Sequence, residues 1–186
     1  DDALTLTDVF VCPPSRHRYH DEAKGDHATK PLIRNLCVKI PRGMHTVVRG
    51  QNGVGKSSLF RTMLKLWRPV LPTSNTSIVI PKSVFVLPQA SYFPSDGSLR
   101  AQITYPDPPT TIKSDRCSEL LHQVGLEELE DRYGLDGAED VDWTNVLSGG
   151  QKQRLAWCRL YHQDPDFAFL DESTSAVSKE IAIRLY

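Results

Sequence analysis

The stretch GQNGVGKSS, residues 50–58, decides the fold of this chain. It matches the pattern G-x-x-x-x-G-K-[ST] and follows an apolar segment, MHTVVRG, that we expect to be a short buried strand. The segment that it opens, KSSLFRTMLKLW, has the apolar spacing of a helix. A glycine-rich turn at the start of a helix directs backbone N–H groups toward an anion. We therefore predict a phosphate-binding loop.

The residues of this loop have separate predicted roles. Lys56 would bring positive charge to the β and γ oxygens of a bound triphosphate, and Ser57 would offer its hydroxyl to Mg²⁺. A plain glycine-rich turn before a helix is the alternative, and the Lys-Ser pair between strand and helix disfavours it. The other residues expected to contact the nucleotide are Gly50, Asn52, Gly53, Gly55 and Ser58.

Strand and helix patterns alternate along the rest of the chain. Strand patterns occur in ALTLTDVFV, PLIRNLCVKIPRG, SIVI, SVFVL and DFAFLDE. Helix patterns occur in SLRAQITY, SDRCSELLHQVGLEELEDRY, QKQRLAWCRLYHQ and KEIAIRLY. The alternation predicts an α/β fold centred on a parallel sheet. The polar, His-rich residues 15–30 predict an exposed loop insertion, and the uncapped final helix indicates a piece of a longer chain.

Composition narrows the function classes. The 186 residues carry a net charge of −1, which gives no electrostatic argument for binding nucleic acid. The four cysteines form no Cys-x-x-Cys pair, which disfavours a zinc site or a disulfide framework. No apolar run approaches the ~18–20 residues that a membrane span needs. These features are typical of an ordinary globular domain.

Polar residues at two strand ends are candidates for catalysis. Asp171 and Glu172 follow the apolar strand FAFL, and Gln89 closes SVFVLPQ. Alone, each would be an ordinary polar strand end. Together with the phosphate-binding loop, Asp171 would hold the Mg²⁺ shell and Glu172 would polarise the attacking water. Gln89 would touch Mg²⁺ or that water.

A second glycine-rich helix start lies in NVLSGGQKQR, residues 145–154. Glycine loses more backbone entropy on folding than any other residue, so two of them at a helix start need a reason. Bare N–H groups at the positive end of the helix would suit an anion. One domain would then carry two phosphate-binding helix starts.

LSGGQ, together with GQNGVGKS upstream and FAFLDE downstream, resembles the nucleotide-binding domain of ABC (ATP-binding cassette) ATPases over residues 43–178. The resemblance implies a P-loop, RecA-like α/β core from residues 1–89 and 156–186, a small antiparallel β-portion, and a helical subdomain over 90–155. It also implies that two such domains meet head to tail around two ATP molecules. The second phosphate site then serves the nucleotide of the partner domain, through Ser148, Gly149, Gly150 and Gln151.

The resemblance assigns roles to residues of this chain. The catalytic set would be Glu172 as base with Lys56 and Gln89, and Mg²⁺ would lie on Ser57, Gln89 and Asp171. Ser178 stands where most members have Asp, which leaves its role across the dimer open. Pro13 occupies the place of the usual adenine-stacking aromatic. The switch histidine of the family would lie beyond the end of the chain.

The segments GSLRAQITYPD and DWTNVLSGGQ are similar to those of subfamily D, the peroxisomal fatty-acyl transporters. Lysosomal cobalamin-related members and bacterial relatives share parts of these segments. The implied function is ATP hydrolysis that powers transport of fatty acids or acyl-CoA, on the cytosolic face of a peroxisomal or peroxisome-like membrane. Partners would be a second nucleotide-binding domain, in a homodimer or heterodimer, and an N-terminal transmembrane domain. The isolated chain would be nearly inactive. A non-transport ABC ATPase of DNA repair or translation is the alternative, and the acidic end of residues 107–142 disfavours it.

Overall fold

A computed structural model describes residues 3–12, 31–67, 75–137 and 140–186. The predicted loop insertion at 15–30 lies outside the described residues. Two compact units divide the chain, Asp1–Val84 and Phe85–Tyr186. The sequence-based division at residues 89 and 155 stays a prediction.

The first unit contains a three-stranded antiparallel sheet in the order β2-β1-β3. The strands are β1 (Ala3–Val11), β2 (Ile33–Pro41) and β3 (Ser77–Val79), and all three follow predicted strand patterns. The register shifts between Leu6 and Val9, beside Asp8 with its φ of 48°. Over this shift β1 advances three residues while β2 advances two, so β1 contains one extra residue. The extra residue reverses the alternation of side chains along β1, and the apolar residues on both sides of it are therefore buried: Leu4, Leu6, Val9 and Val11.

The helix after the glycine-rich loop is α1 (Lys56–Met63), as predicted, although it ends four residues before Trp67. The strand predicted for MHTVVRG is wrong. Residues 44–50 form no strand, and Met44 and Val47 are 57% and 73% exposed. Apolar composition makes a segment compatible with a buried strand, but pairing with a neighbour decides whether a strand forms. That pairing is a tertiary property, which a local pattern does not contain.

In the chain beyond β3, the predicted strands are found as β4 (Val84–Leu87) and β5 (Phe167–Leu170), which pair with each other. Helices fill the sequence between and after them. They are α2 (Leu99–Thr104), α3 (Ser114–Val124), α4 (Glu127–Tyr133), α5 (Trp143–Val146), α6 (Gly149–Gln163) and α7 (Lys179–Leu185). A 3₁₀ turn at Pro109–Thr111 precedes α3.

The longest helix, α6, forms the centre of the second unit. It packs against α2 and α3, and its residues Leu155 and Cys158 are fully buried. Trp143 is also fully buried and donates from Nε1 to the carbonyl oxygen of Gly97 at 2.6 Å. Within the described ranges, no helix has the length and apolarity of a membrane span.

Candidate functional site

The predicted phosphate-binding loop, residues 50–58, has backbone angles that favour glycine. Gly53 and Gly55 have φ of 80° and 109°, in the left-handed region that residues with a Cβ rarely adopt. A Cβ on Gly55 would also lie 3.1 Å from a methyl carbon of Leu32. At Gly50, whose φ is not positive, the reason is space: a Cβ there would lie 2.8 Å from Cγ1 of Val54. The glycine spacing read from sequence therefore has a steric basis.

Positive charge is held where the loop meets α1. Nζ of Lys56 donates to the carbonyl oxygens of Gly50 and Gln51, at 2.9 and 3.1 Å. Ser57 and Ser58 follow in the first turn of α1, which contains no acidic residue. An ammonium group and a helix N-terminus at the same place favour a polyanion. Asn52 is exposed in the turn of the loop.

The acidic end of β5 lies beside Gln89. Nε2 of Gln89 donates to Oε2 of Glu172 at 2.7 Å, although the two residues are 83 positions apart. The backbone N–H of Asp171 donates to the carbonyl oxygen of Leu87 at 3.0 Å. The pairing of β4 with β5 therefore places Gln89 beside Glu172. The structure thus brings together two residues that sequence reasoning had assigned to one site.

Glu172 has an unusual backbone conformation. Its φ is 51°, which is uncommon for a residue other than glycine or asparagine. Such conformations persist only where surrounding contacts hold them, and they cluster at functional sites. The turn after β5 therefore determines where the Glu172 carboxylate points.

The proposed Mg²⁺ donors have the chemistry that this ion prefers. Within the second unit, Asp171 has a carboxylate and Gln89 an amide oxygen, since the nitrogen of Gln89 donates to Glu172. Within the first unit, Ser57 has a hydroxyl. Hard oxygen donors of this kind suit Mg²⁺, which keeps several waters and needs few protein ligands. Among the described residues, His, Cys, Asp and Glu form no group of three or more that would suit another metal.

Ser148 is the N-cap of α6, in a reciprocal capping box. The N–H of Gln151 donates to Oγ of Ser148 at 3.2 Å, and the N–H of Ser148 donates to Oε1 of Gln151 at 2.9 Å. Two residues of LSGGQ therefore fix the start of the helix. Gly149, which is exposed, and the half-buried Gly150 form its first turn, where N–H groups have no partner within the helix.

The two glycines of LSGGQ have different environments. A Cβ on Gly150 would lie 2.9 Å from the carbonyl oxygen of Ala176, a backbone atom. A Cβ on Gly149 would meet only the Ala176 side chain, at 3.9 Å. Close packing against residues 172–177, which we call the post-β5 loop, therefore requires glycine at position 150.

Sequence reasoning missed the other contacts between α6 and the post-β5 loop. The amide of Gln153 bonds to Glu172, Ser175 and Ala176, and Nε1 of Trp157 donates to the carbonyl oxygen of Ser173 at 3.2 Å. Gln153 and Trp157 lie one helical turn apart, so both are on the face that carries Gly150. The sequence signal that would have found Gln153 is a polar residue on the helix face shared by Gly150 and Trp157.

Arg159, also on α6, is a buried cation that sequence reasoning gave no chemical role. It donates to the carbonyl oxygens of Tyr92 and Gln102, at 2.6 and 2.7 Å, and its guanidinium lies 4.3 Å from the ring centre of Phe93. Burial lowers the pKa of the Arg159 guanidinium to about 10. The residue ties the segment after Gln89 to α6.

Ser178 has a structural role that its replacement of Asp preserves. It is the N-cap of α7, and its Oγ accepts from the N–H of Ile181 at 3.4 Å. Ser and Asp are about equally good N-caps, because each places an oxygen near the free N–H groups of the first turn. The local geometry of this position is thus compatible with either residue.

Residues 33–175 match the profile of the ABC transporter family. The chain belongs to the ABC transporter family. Its match covers the phosphate-binding loop, Gln89, LSGGQ and the acids after β5, and members of the family are ATPases. The sequence-based expectation of an α/β ABC ATPase domain is therefore confirmed.

Several relatives carry subfamily D names. The human lysosomal cobalamin transporter ABCD4 is 37% identical over 193 residues, which cover 100% of this chain and 30% of that protein. ATP-binding cassette sub-family D member 1 of Drosophila melanogaster is 39% identical, with 83% of this chain and 22% of that protein covered. Human sub-family D member 3 is 39% identical, with 83% and 24% covered. The chain thus spans less than a third of each of these relatives.

A solved structure shares the fold. The structure of a bacterial Atm1-family ABC exporter with ATP bound aligns with a TM-score of 0.73 and 20% sequence identity, covering 99% of this chain and 31% of that chain. At this identity the likeness concerns the fold alone. With relatives named as transporters, the alternative of a DNA-repair or translation ATPase is not favoured.

Proposed function

We propose that this chain is the ATP-binding and ATP-hydrolysing domain that powers a membrane transporter. The observation that carries the proposal is the hydrogen bond of 2.7 Å between Gln89 and Glu172, beside Asp171 at the end of β5. Together with a phosphate-binding loop and an LSGGQ helix start in one chain, it supplies the parts that water attack on a γ-phosphate needs.

Each residue has a chemical role in this proposal. Glu172 accepts the proton of the attacking water, and Gln89 holds the carboxylate in place. Lys56 and the N–H groups of the loop stabilise the charge that develops on the β and γ oxygens. Ser57, Gln89 and Asp171 would hold Mg²⁺, which would neutralise part of the phosphate charge.

We also propose that a second nucleotide-binding domain, of the same or a related chain, completes the site. Ser148, Gly149, Gly150 and Gln151 would face the γ-phosphate held by the loop of the partner domain. The capping box supports this role, because it presents the first N–H groups of α6 in a fixed direction. An N-terminal transmembrane domain would hold the two domains together.

The transported substrate has two candidates. Fatty acids or acyl-CoA, carried at a peroxisomal membrane, follow from the resemblance to subfamily D. Cobalamin at a lysosomal membrane is the second, because the relative named for it aligns with 100% of this chain at 37% identity. We propose the acyl substrate, with the domain on the cytosolic face of an organelle membrane.

The test uses the full-length transporter in liposomes. We expect MgATP hydrolysis that acyl-CoA stimulates, and stimulation by cobalamin instead would reverse the substrate proposal.

Lys56→Ala should abolish tight MgATP binding, because it removes the cation at the start of α1. Glu172→Gln should keep binding and stop turnover apart from a small residual rate. Near-normal hydrolysis by Glu172→Gln would refute the assignment of the base.

A further inference from the structure

We propose that Gln153 is a positioning residue for Glu172: its amide fixes, from the signature helix α6, the backbone turn that aims the catalytic carboxylate. This inference rests on the proposed function, since it concerns the same reaction. It adds a residue outside LSGGQ and outside the groups that touch the nucleotide.

Gln153 is 8% exposed, and both the nitrogen and the oxygen of its side-chain amide form hydrogen bonds. Nε2 donates to Oγ of Ser175 at 2.9 Å and to the carbonyl oxygen of Glu172 at 3.3 Å. Oε1 accepts from the N–H of Ala176 at 2.8 Å. One side chain thus contacts the post-β5 loop at three of its six positions.

The turn that Gln153 holds is the one that needs support. Glu172 has a φ of 51°, and its carbonyl oxygen also accepts from the N–H of Ser175 at 3.1 Å. A left-handed residue relaxes toward the right-handed or extended regions when its contacts are removed. Relaxation at Glu172 would turn its side chain away from Gln89, which now lies 2.7 Å from the carboxylate.

The position of Gln153 on α6 gives the contact a further consequence. Gly150, Gln153 and Trp157 lie on one face of the helix, and each meets the post-β5 loop. The start of the same helix would bind the γ-phosphate of the partner site. A helix is stiff over this length. Binding of the partner's nucleotide at LSGGQ is therefore coupled, through Gln153, to the position of the Glu172 carboxylate.

The experiment compares Gln153→Met with Gln163→Met in the full-length transporter. Methionine keeps the length and helix propensity of glutamine but removes the amide. Gln163 is on the same helix, and its Nε2 donates a hydrogen bond to Oδ2 of Asp107 at 2.6 Å, away from the post-β5 loop. Two quantities are measured: the kinetics of MgATP hydrolysis, and backbone hydrogen exchange of the peptide that covers residues 172–177.

For Gln153→Met we expect exchange of this peptide to rise about tenfold, because the Ala176 N–H loses its acceptor. We expect kcat to fall about tenfold to a hundredfold with KM for ATP unchanged within about twofold, because a misaimed base affects the chemical step and not binding. Gln163→Met should match the wild type in both measurements. Exchange elsewhere in α6 shows that the variant is folded.

A double variant separates positioning from general stability. In a Glu172→Gln background, Gln153→Met should change the residual rate by less than about twofold, because the residue through which it acts is already disabled. Additive losses would overturn the proposal, as would wild-type kcat or unchanged exchange in Gln153→Met. If the wild-type transporter hydrolyses no ATP, the proposed function fails, and the exchange comparison still decides whether Gln153 holds the turn.

Discussion

Alanine should destabilise the protein at Gly150 of LSGGQ but not at Gly149. At Gly150 a Cβ would lie 2.9 Å from the carbonyl oxygen of Ala176, and a backbone atom has little freedom to move away. Forcing extra carbon into a packed site typically costs about 1–3 kcal/mol. The shift would also strain the hydrogen bond of 2.8 Å from Ala176 to Gln153, which contributes about 1 kcal/mol.

Helix propensity acts in the other direction at both positions. Replacing glycine by alanine within a helix gains up to about 1 kcal/mol, and less in the first turn. At Gly150 the steric cost exceeds this gain, so we expect Gly150→Ala to lower the free energy of unfolding by about 1–2 kcal/mol. At Gly149 the nearest contact would be an ordinary 3.9 Å, so Gly149→Ala should be neutral or stabilising by up to about 0.5 kcal/mol.

Urea unfolding of the 186-residue chain, followed by tryptophan emission, measures the difference. A Trp67→Phe background leaves the two tryptophans of the second unit, Trp143 and Trp157, as reporters. With an m-value of about 1–3 kcal/mol per M, the midpoints of the two variants should differ by roughly 1 M. A midpoint for Gly150→Ala at or above that of Gly149→Ala would refute the reasoning.

Three further predictions concern caps, charge and assembly. Ser178→Ala should lower the free energy of unfolding by about 1 kcal/mol while Ser178→Asp leaves it unchanged, because only the first removes the N-cap of α7. Thermal melts of both variants check this, and equal melting temperatures would contradict it. The hydrogen bond from Arg100 holds the pKa of the Asp136 carboxyl below its ordinary value, so its stabilisation is present above about pH 4 and is lost as the pH falls through the folded pKa. Asp136→Asn should therefore cost about 1 kcal/mol at pH 7 and progressively less below pH 4, as measured by urea unfolding. The cost is small because the Asp136 side chain is 63% exposed and solvent screens the ion pair. ATP turnover by the isolated chain should be very slow and should rise with the square of protein concentration, because each site needs LSGGQ from a second copy; robust turnover that is first order in protein would contradict the head-to-tail proposal.

Residues with a single local role were predictable from sequence. The glycines of the phosphate-binding loop, the start of α1 and the helix after LSGGQ all follow from spacing and backbone freedom, and the structure places each as expected. The strand predicted for residues 44–50 failed for the opposite reason, because its formation depends on a partner strand. Roles in binding and catalysis stay predictions for all of these residues.

The sequence by itself determined the family, most of the helices and strands, and the identity of the chemical groups. Those properties depend on patterns between residues that are close along the chain. Only the tertiary structure decided which groups meet: Gln89 with Glu172, and Gln153 with the post-β5 loop. It also showed that Gly150 is required by a neighbouring carbonyl while Gly149 is not. Contacts between distant segments depend on how helices and strands pack, and no local pattern encodes that packing.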